Sequence, residues 1–213
     1  MKKSIIDFIK RNRVSTTELA DCMEKSGAIN NVNAINRNHY AVGNIFYVCT
    51  CNGTNWDVHK EIENVEDGDI IFIDVLDSLE KAVFGDLVSK YLLLYRQCNA
   101  IVTNGFLRDA PKLIKEKWPI WCSGFSPIGF SNEEIQKSDK QLQEIKERKN
   151  FYQNAIIVCD DTGVIVIPEK FHTKKFLEKI HFIEEQEDIW LDCIDRKNYS
   201  TFETVCLQKY LRD

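Results

Sequence analysis

The chain has 213 residues, 44% of them hydrophobic and 29% charged, which suits a protein with a buried core and excludes a disordered or membrane-dominated one. Its formal net charge of −5, with no basic stripe interleaved with aromatics, argues against direct nucleic-acid binding. No apolar run approaches the ~18 residues of a membrane span. With no secretory leader in view, a soluble cytoplasmic protein is expected.

Met1 to Arg11 begins like a leader, but Asp7, Lys10, Arg11 and Arg13 interrupt the apolar stretch and predict a short amphipathic helix instead. Ser15-Thr16-Thr17-Glu18 has the form of a capping box, opening a helix with Leu19 and Met23 on its apolar side and Gly27 as its stop. Residues 41–51 read as a strand, Asn52-Gly53-Thr54-Asn55 as a turn and 56–63 as a short helix. Asp67-Gly68-Asp69 then turns into Ile70–Val75, an apolar run of the kind buried on both faces of a sheet.

A helix is expected from about Asp86 to Gln97, with Leu87, Tyr91, Leu94 and Cys98 along one side. A buried strand at 100–103, a helix at 110–117 and a strand at 119–122 follow. This alternation predicts a largely parallel sheet with helices against it. Ser131 and Glu134 form a second capping box, opening a charged helix to about Asn150 with Ile135, Leu142 and Ile145 as a narrow apolar stripe. Two strands, 155–159 and 163–167, meet at the turn Asp160-Asp161-Thr162-Gly163, and the chain from Glu169 onward reads as helical throughout. The whole, 1–213, is taken as one domain with a core at about 15–170 and a C-terminal helical extension at about 171–213.

In open parallel sheets, ligands sit at the carboxyl ends of strands. The loops after 70–75 and 101–103 would deliver Gly85-Asp86-Leu87 and Gly105-Phe106-Leu107-Arg108-Asp109 there. Gly85 lets backbone approach a ligand closely, and the free N–H groups of Asp86, Leu87 and Val88 at a helix start favour an anion. Arg108 offers a planar fork that matches a carboxylate. Asp109 cannot serve that same anion, so its partner is a cation. Two aspartates without histidine or cysteine nearby select Mg²⁺ or Mn²⁺. The competing reading of the same residues is a salt bridge plus a helix N-cap. Other candidates are weaker: Cys49-x-Cys51 on a strand points both thiols to one face and could bind a metal, although free cysteine is mostly a small buried hydrophobe, and His59 could donate a proton near the ligand face.

At these residues the chain resembles the RraA-like family, which includes the 4-hydroxy-4-methyl-2-oxoglutarate aldolases and the regulator of ribonuclease activity A. The resemblance is carried by Gly85-Asp86-Leu87, Asn104-Gly105-Phe106-Leu107-Arg108-Asp109 and Gly163-Val164-Ile165-Val166-Ile167-Pro168, with Thr17-Glu18-Leu19-Ala20-Asp21 similar to the family's opening helix. It implies an α/β, swivelling β/β/α fold assembled as a homotrimer or hexamer.

In aldolase members, the arginine matching Arg108 binds a pyruvoyl carboxylate with amides matching Leu87 and Val88. The aspartate matching Asp109 holds Mg²⁺ directly, and the one matching Asp86 holds it through water. A glutamate from a neighbouring subunit's C-terminal helix joins the outer shell; Glu187 fits that register best and Glu184 nearly as well. The resemblance thus implies a class II pyruvate aldolase or oxaloacetate decarboxylase that cleaves a 2-oxo acid through a metal-stabilised pyruvate enolate. The alternative within the family is a non-catalytic, ribonuclease-inhibitor-like binder of a protein partner. Three features depart from the family pattern: Asn104 replaces an aspartate, the charged helix 131–150 stands where a Gly-Gly-Val-x-Val-x-Pro-Gly-Asp segment is usual, and glycine is scarce, at nine residues, for a normally glycine-rich family.

Overall fold

The run Ile70–Val75 is buried at every position and forms the centre of the larger of two sheets. The computed structural model describes residues 1–77 and 80–212. In chain order its elements are α1 (Lys2–Asn12), α2 (Thr16–Cys22), β1 (Asn33–Ala34), β2 (Ala41–Thr50), α3 (Trp56–Glu61), β3 (Ile70–Val75), β4 (Ala82–Phe84), α4 (Asp86–Lys90) and β5 (Ala100–Thr103). Next come β6 (Phe106–Leu107), α5 (Ala110–Lys115), β7 (Ile120–Cys122), β8 (Gly124–Phe125), α6 (Asp139–Tyr152), β9 (Ile156–Cys159), β10 (Val164–Ile167) and α7 (Lys174–Asp195).

The large sheet runs β1-β7-β5-β3-β2-β9-β10. Its four middle strands, β7, β5, β3 and β2, are parallel, while β1, β9 and β10 join antiparallel. This is the largely parallel α/β sheet that the strand–helix alternation predicts. One face packs Val48, Ile71, Ile73 and Ile101 against Val58, Val88, Leu92 and Leu113 from the α3, α4 and α5 regions. The other face buries Tyr47, Phe72, Val102 and Trp121, with Ile145 and Tyr152 of α6 leaning on it. At the β9–β10 edge, α1, α2 and α7 close a third cluster around Ile5, Leu19, Val158 and Phe176. Among the described residues no helix is long and apolar enough to cross a membrane.

A second sheet of three short parallel strands, β4-β6-β8, corrects the placement of the site loops. The loops do not leave β3 and β5 directly: each chain segment first adds a strand to the small sheet, and the site residues follow β4 and β6. Strands of two or three residues are too short to show a period in sequence.

The helix after Gly85 also differs from expectation. It is α-helical only over Asp86–Lys90 and widens into a π turn over Tyr91–Tyr95. Val88 and Leu92 face the core together with Cys98 and the partly buried Tyr91, whereas Leu87 is 78% and Leu94 55% exposed, so only half of the predicted side is inward.

The charged helix starts later than predicted. Ser131 cannot open a helix because its backbone is already engaged: its N–H donates to the Gly53 carbonyl, and its carbonyl accepts from Asn55 N–H and the Thr54 hydroxyl. The capping box is Ser138 with Gln141, opening α6. The C-terminal stretch is also not helical throughout, since α7 ends at Asp195 and a separate π turn spans Phe202–Cys206. The Ser15–Glu18 capping box is formed as expected.

Candidate functional site

Gly85 and the Arg108–Asp109 pair converge because β4 and β6 are neighbours in the small sheet. The Arg108 N–H donates to the Phe84 carbonyl at 3.0 Å, fixing the level at which the second loop leaves β6. Asp109 then adopts φ 61°, ψ 28°, a left-handed conformation tolerated by aspartate, and becomes the N-cap of α5 with Pro111 in the first turn.

The geometry is tight. Asp109 Oδ2 accepts the Asp86 backbone N–H at 3.1 Å and lies 3.8 Å from Arg108 Nε. A Cβ at Gly85 would overlap the Asp109 carboxylate and come within 2.7 Å of Arg108 Cγ, so only glycine permits this approach. The Asp86 amide is therefore engaged by Asp109 rather than free for a ligand, which corrects the expectation for that residue. Leu87 and Val88 keep first-turn N–H groups with no carbonyl a turn below them.

Two residues of the site escaped the sequence reading. Lys112, on the first turn of α5, places Nζ 3.2 Å from Asp86 Oδ2. Gly129, just before the chain crosses back over Ala82, leaves room for the Arg108 guanidinium, since a Cβ there would stand 2.9 Å from Nη1. The position of Lys112 three residues after Asp109 was a legible signal. That of Gly129 was not, because it meets Arg108 only through the fold.

The remaining candidates lie elsewhere in the chain. Glu184 and Glu187 line an open cleft with Asn12, Glu18 and His181, apart from the loops that carry Asp86 and Arg108. Burial, and then the charge of Glu18, push both carboxyls up. The Cys49 and Cys51 thiols are buried and pushed up by that burial, Cys49 to about 12, which keeps them protonated. Asp160 serves the turn and the start of α2, accepting from the Thr16 amide and hydroxyl, each at 2.8 Å, and from the Thr162 amide.

Among the described residues, no three His, Cys, Asp or Glu side chains gather closely enough to form a metal cage. Asp86 and Asp109 are a pair of partly exposed carboxylates with neither imidazole nor thiolate beside them. That donor set fits a hard dication that keeps most of its water.

The sequence profile of the RraA-like family, described as Aldolase/RraA, matches residues 16–166, which include Gly85, Asp86, Arg108, Asp109, Lys112 and Gly129. The chain belongs to the RraA-like family. A Halalkalibacterium halodurans protein, provisionally named a 4-hydroxy-4-methyl-2-oxoglutarate aldolase, is 29% identical over 181 residues, 79% of this chain and 80% of its own. Two solved structures share the fold at 18% identity. One, an uncharacterized protein of Pseudomonas syringae pv. tomato, has a TM-score of 0.73 over 97% of this chain and 94% of its own. The other, Streptomyces coelicolor RraAS2, described as an unusual member of the RNase ES inhibitor RraA family, has a TM-score of 0.63 over 87% and 92%.

Proposed function

We propose that this RraA-like chain is a divalent-metal-dependent carbon–carbon lyase acting on a 2-oxo acid. The observation that carries this reading is the meeting of Arg108, Asp109 and Asp86 around Gly85 within one small cradle. A binding scaffold has no evident need to hold an arginine fork beside the Asp109 carboxylate with Asp86 next to it.

Arg108 would grip the substrate carboxylate through its planar fork, helped by the N–H groups of Leu87 and Val88. Gly129 leaves the guanidinium free to swing toward that ligand. Asp109 would hold Mg²⁺ or Mn²⁺ directly, and Asp86 would hold it through water once Lys112 moves aside. The ion, when bound, supplies a Lewis acid for the negative charge left when the carbon–carbon bond breaks. Exposed Leu87, Phe125 and Ile128 leave an apolar rim open to a neighbouring copy. We take the assembly to be a homotrimer or hexamer in which Glu187, or Glu184, of another copy completes the outer shell. The name of the Halalkalibacterium relative supports the aldolase chemistry.

The regulatory reading gains less support. The start of α6 is tied to the body of the chain, with Lys137 just before it paired to Asp57 at 2.8 Å and Gln141 donating to Asn52 at 2.7 Å. The test is pyruvate release from oxaloacetate and from a 4-hydroxy-2-oxo diacid, above the rate Mg²⁺ alone gives. Release that disappears on chelation supports the lyase; no release from either by folded protein rejects it.

A further inference from the structure

Asp74, on β3, is fully buried and takes no part in the site described above. An ionised carboxylate out of water needs donors on both oxygens, and Asp74 has them. Its Oδ2 accepts from the Tyr47 hydroxyl at 2.7 Å and from Arg148 Nη1 at 3.0 Å, and its Oδ1 accepts from Asn104 Nδ2 at 2.7 Å. Arg148 comes from α6, and Tyr152 of the same helix stacks on Tyr47 with ring centroids 5.2 Å apart.

Asn104 is the far end of this chain of contacts and the near end of the site loop. Its Oδ1 accepts the Val75 N–H at 2.7 Å, and its backbone carbonyl accepts the Ser123 hydroxyl at 2.9 Å. Asn104 therefore ties the ends of β3 and β7 together where the polypeptide leaves β5 for β6, immediately before Arg108 and Asp109.

An aspartate at 104 would set a second carboxylate 2.7 Å from Asp74, and one of the two would have to take up a proton. An amide avoids this by donating. Asn104 and α6 thus meet at one carboxylate: the amide donates to Asp74, and Arg148 of the helix brings its counter-charge.

We infer that Arg148 and Asp74 are positioning residues for the Arg108–Asp109 loop, acting through Asn104, so that α6, although a surface helix, supports the site. The inference rests on reading Arg108 and Asp109 as the site. Hydrogen exchange reads the loop without any substrate, so absent turnover would reject the lyase and leave this test standing.

The experiment is amide hydrogen exchange of the full chain over residues 104–109, joined to oxalate affinity in the presence of Mn²⁺. Arg148 is partly exposed, so Arg148→Met should fold. It should speed exchange of 104–109 by about tenfold, the scale set by losing a hydrogen bond to a charged group. Asn104→Asp should do the same, and the exchanged pair Asp74→Asn with Asn104→Asp should return the loop and the oxalate affinity only part of the way to wild type, because one carboxylate and one amide again share the gap while Arg148 faces an amide. Exchange at 104–109 unchanged by Arg148→Met while α6 loosens would overturn the inference. So would an exchanged pair no better than Asn104→Asp alone.

Discussion

The Lys112 ammonium stands 3.2 Å from Asp86 Oδ2, and this pair is half of a quartet in which two carboxylates, Asp86 and Asp109, face two cations, Lys112 and Arg108. The quartet is formally neutral without a ligand. A dication that approaches Asp86 must compete with a tethered ammonium for the same oxygen.

Lys112→Met is therefore expected to tighten Mn²⁺ binding. The pair is solvent-exposed on the lysine side, and such pairs contribute about 0–1 kcal/mol, which sets the gain at no more than about fivefold. Titration followed by the electron paramagnetic resonance signal of free Mn²⁺ would measure it. Weaker binding by the variant would show that Lys112 assists the ion.

Gly85→Ala should be far more damaging than its one methyl group suggests. The added carbon meets both the Asp109 carboxylate and Arg108 Cγ, and displacement of reacting groups by about an ångström costs about a hundredfold in rate. The thermal midpoint should be read beside the rate, because Gly85 lies between the buried Phe84 and Val88, and a folded variant with lost turnover is the expected result. Wild-type turnover in the alanine variant would show that the cradle is not the site.

Gly129→Ala meets only the mobile end of Arg108, 2.9 Å from Nη1. The guanidinium can give way, so the expected result is a several-fold rise in KM for the 2-oxo acid with kcat nearly kept, the pattern of lost ground-state binding. An equal fall in kcat would mean that Gly129 contributes in the transition state.

Much of this arrangement is legible in the sequence, for physical reasons that differ by element. The run 70–75 announces a strand buried on both faces, and Ser15-x-x-Glu18 announces a helix start, because both are local patterns that the fold leaves intact. Gly85-Asp86 and Arg108-Asp109 are legible because the chemistry needs those residue types side by side. Ser131-x-x-Glu134 has the same local form as a cap but loses its backbone to the strand bridge with Thr54, a contact that sequence cannot show. Leu87 misleads in the opposite way: an apolar residue at helical spacing, it points to solvent because its neighbour Val88, four before Leu92, takes the inward face. Asn104 looks like a lost aspartate until its Asp74 partner is seen.

The Glu184–Glu187 cleft carries a pH signature. Both carboxyls are raised, first by burial and then by Glu18. A carboxyl with a raised folded-state pKa holds its proton more readily folded than unfolded, so its charge costs stability above that pKa, and the cost fades as pH falls through it. Glu187→Gln should raise Tm at neutral pH, and the gain should shrink toward about pH 4. A gain that is equal at both pH values would mean that the charge of Glu187 is not what strains the cleft.

The central claim is that Arg108, Asp109 and Asp86 form one site for an anion and a dication together. Calorimetric titration with oxalate, a mimic of the planar pyruvate enolate, tests it most directly, with Mg²⁺ present and after chelation. The prediction is that oxalate binds measurably only with Mg²⁺, and that Arg108→Met and Asp109→Asn each abolish the heat, because ligand and ion raise each other's affinity at a shared site. Oxalate binding that is indifferent to Mg²⁺, or unchanged in both variants, would contradict it.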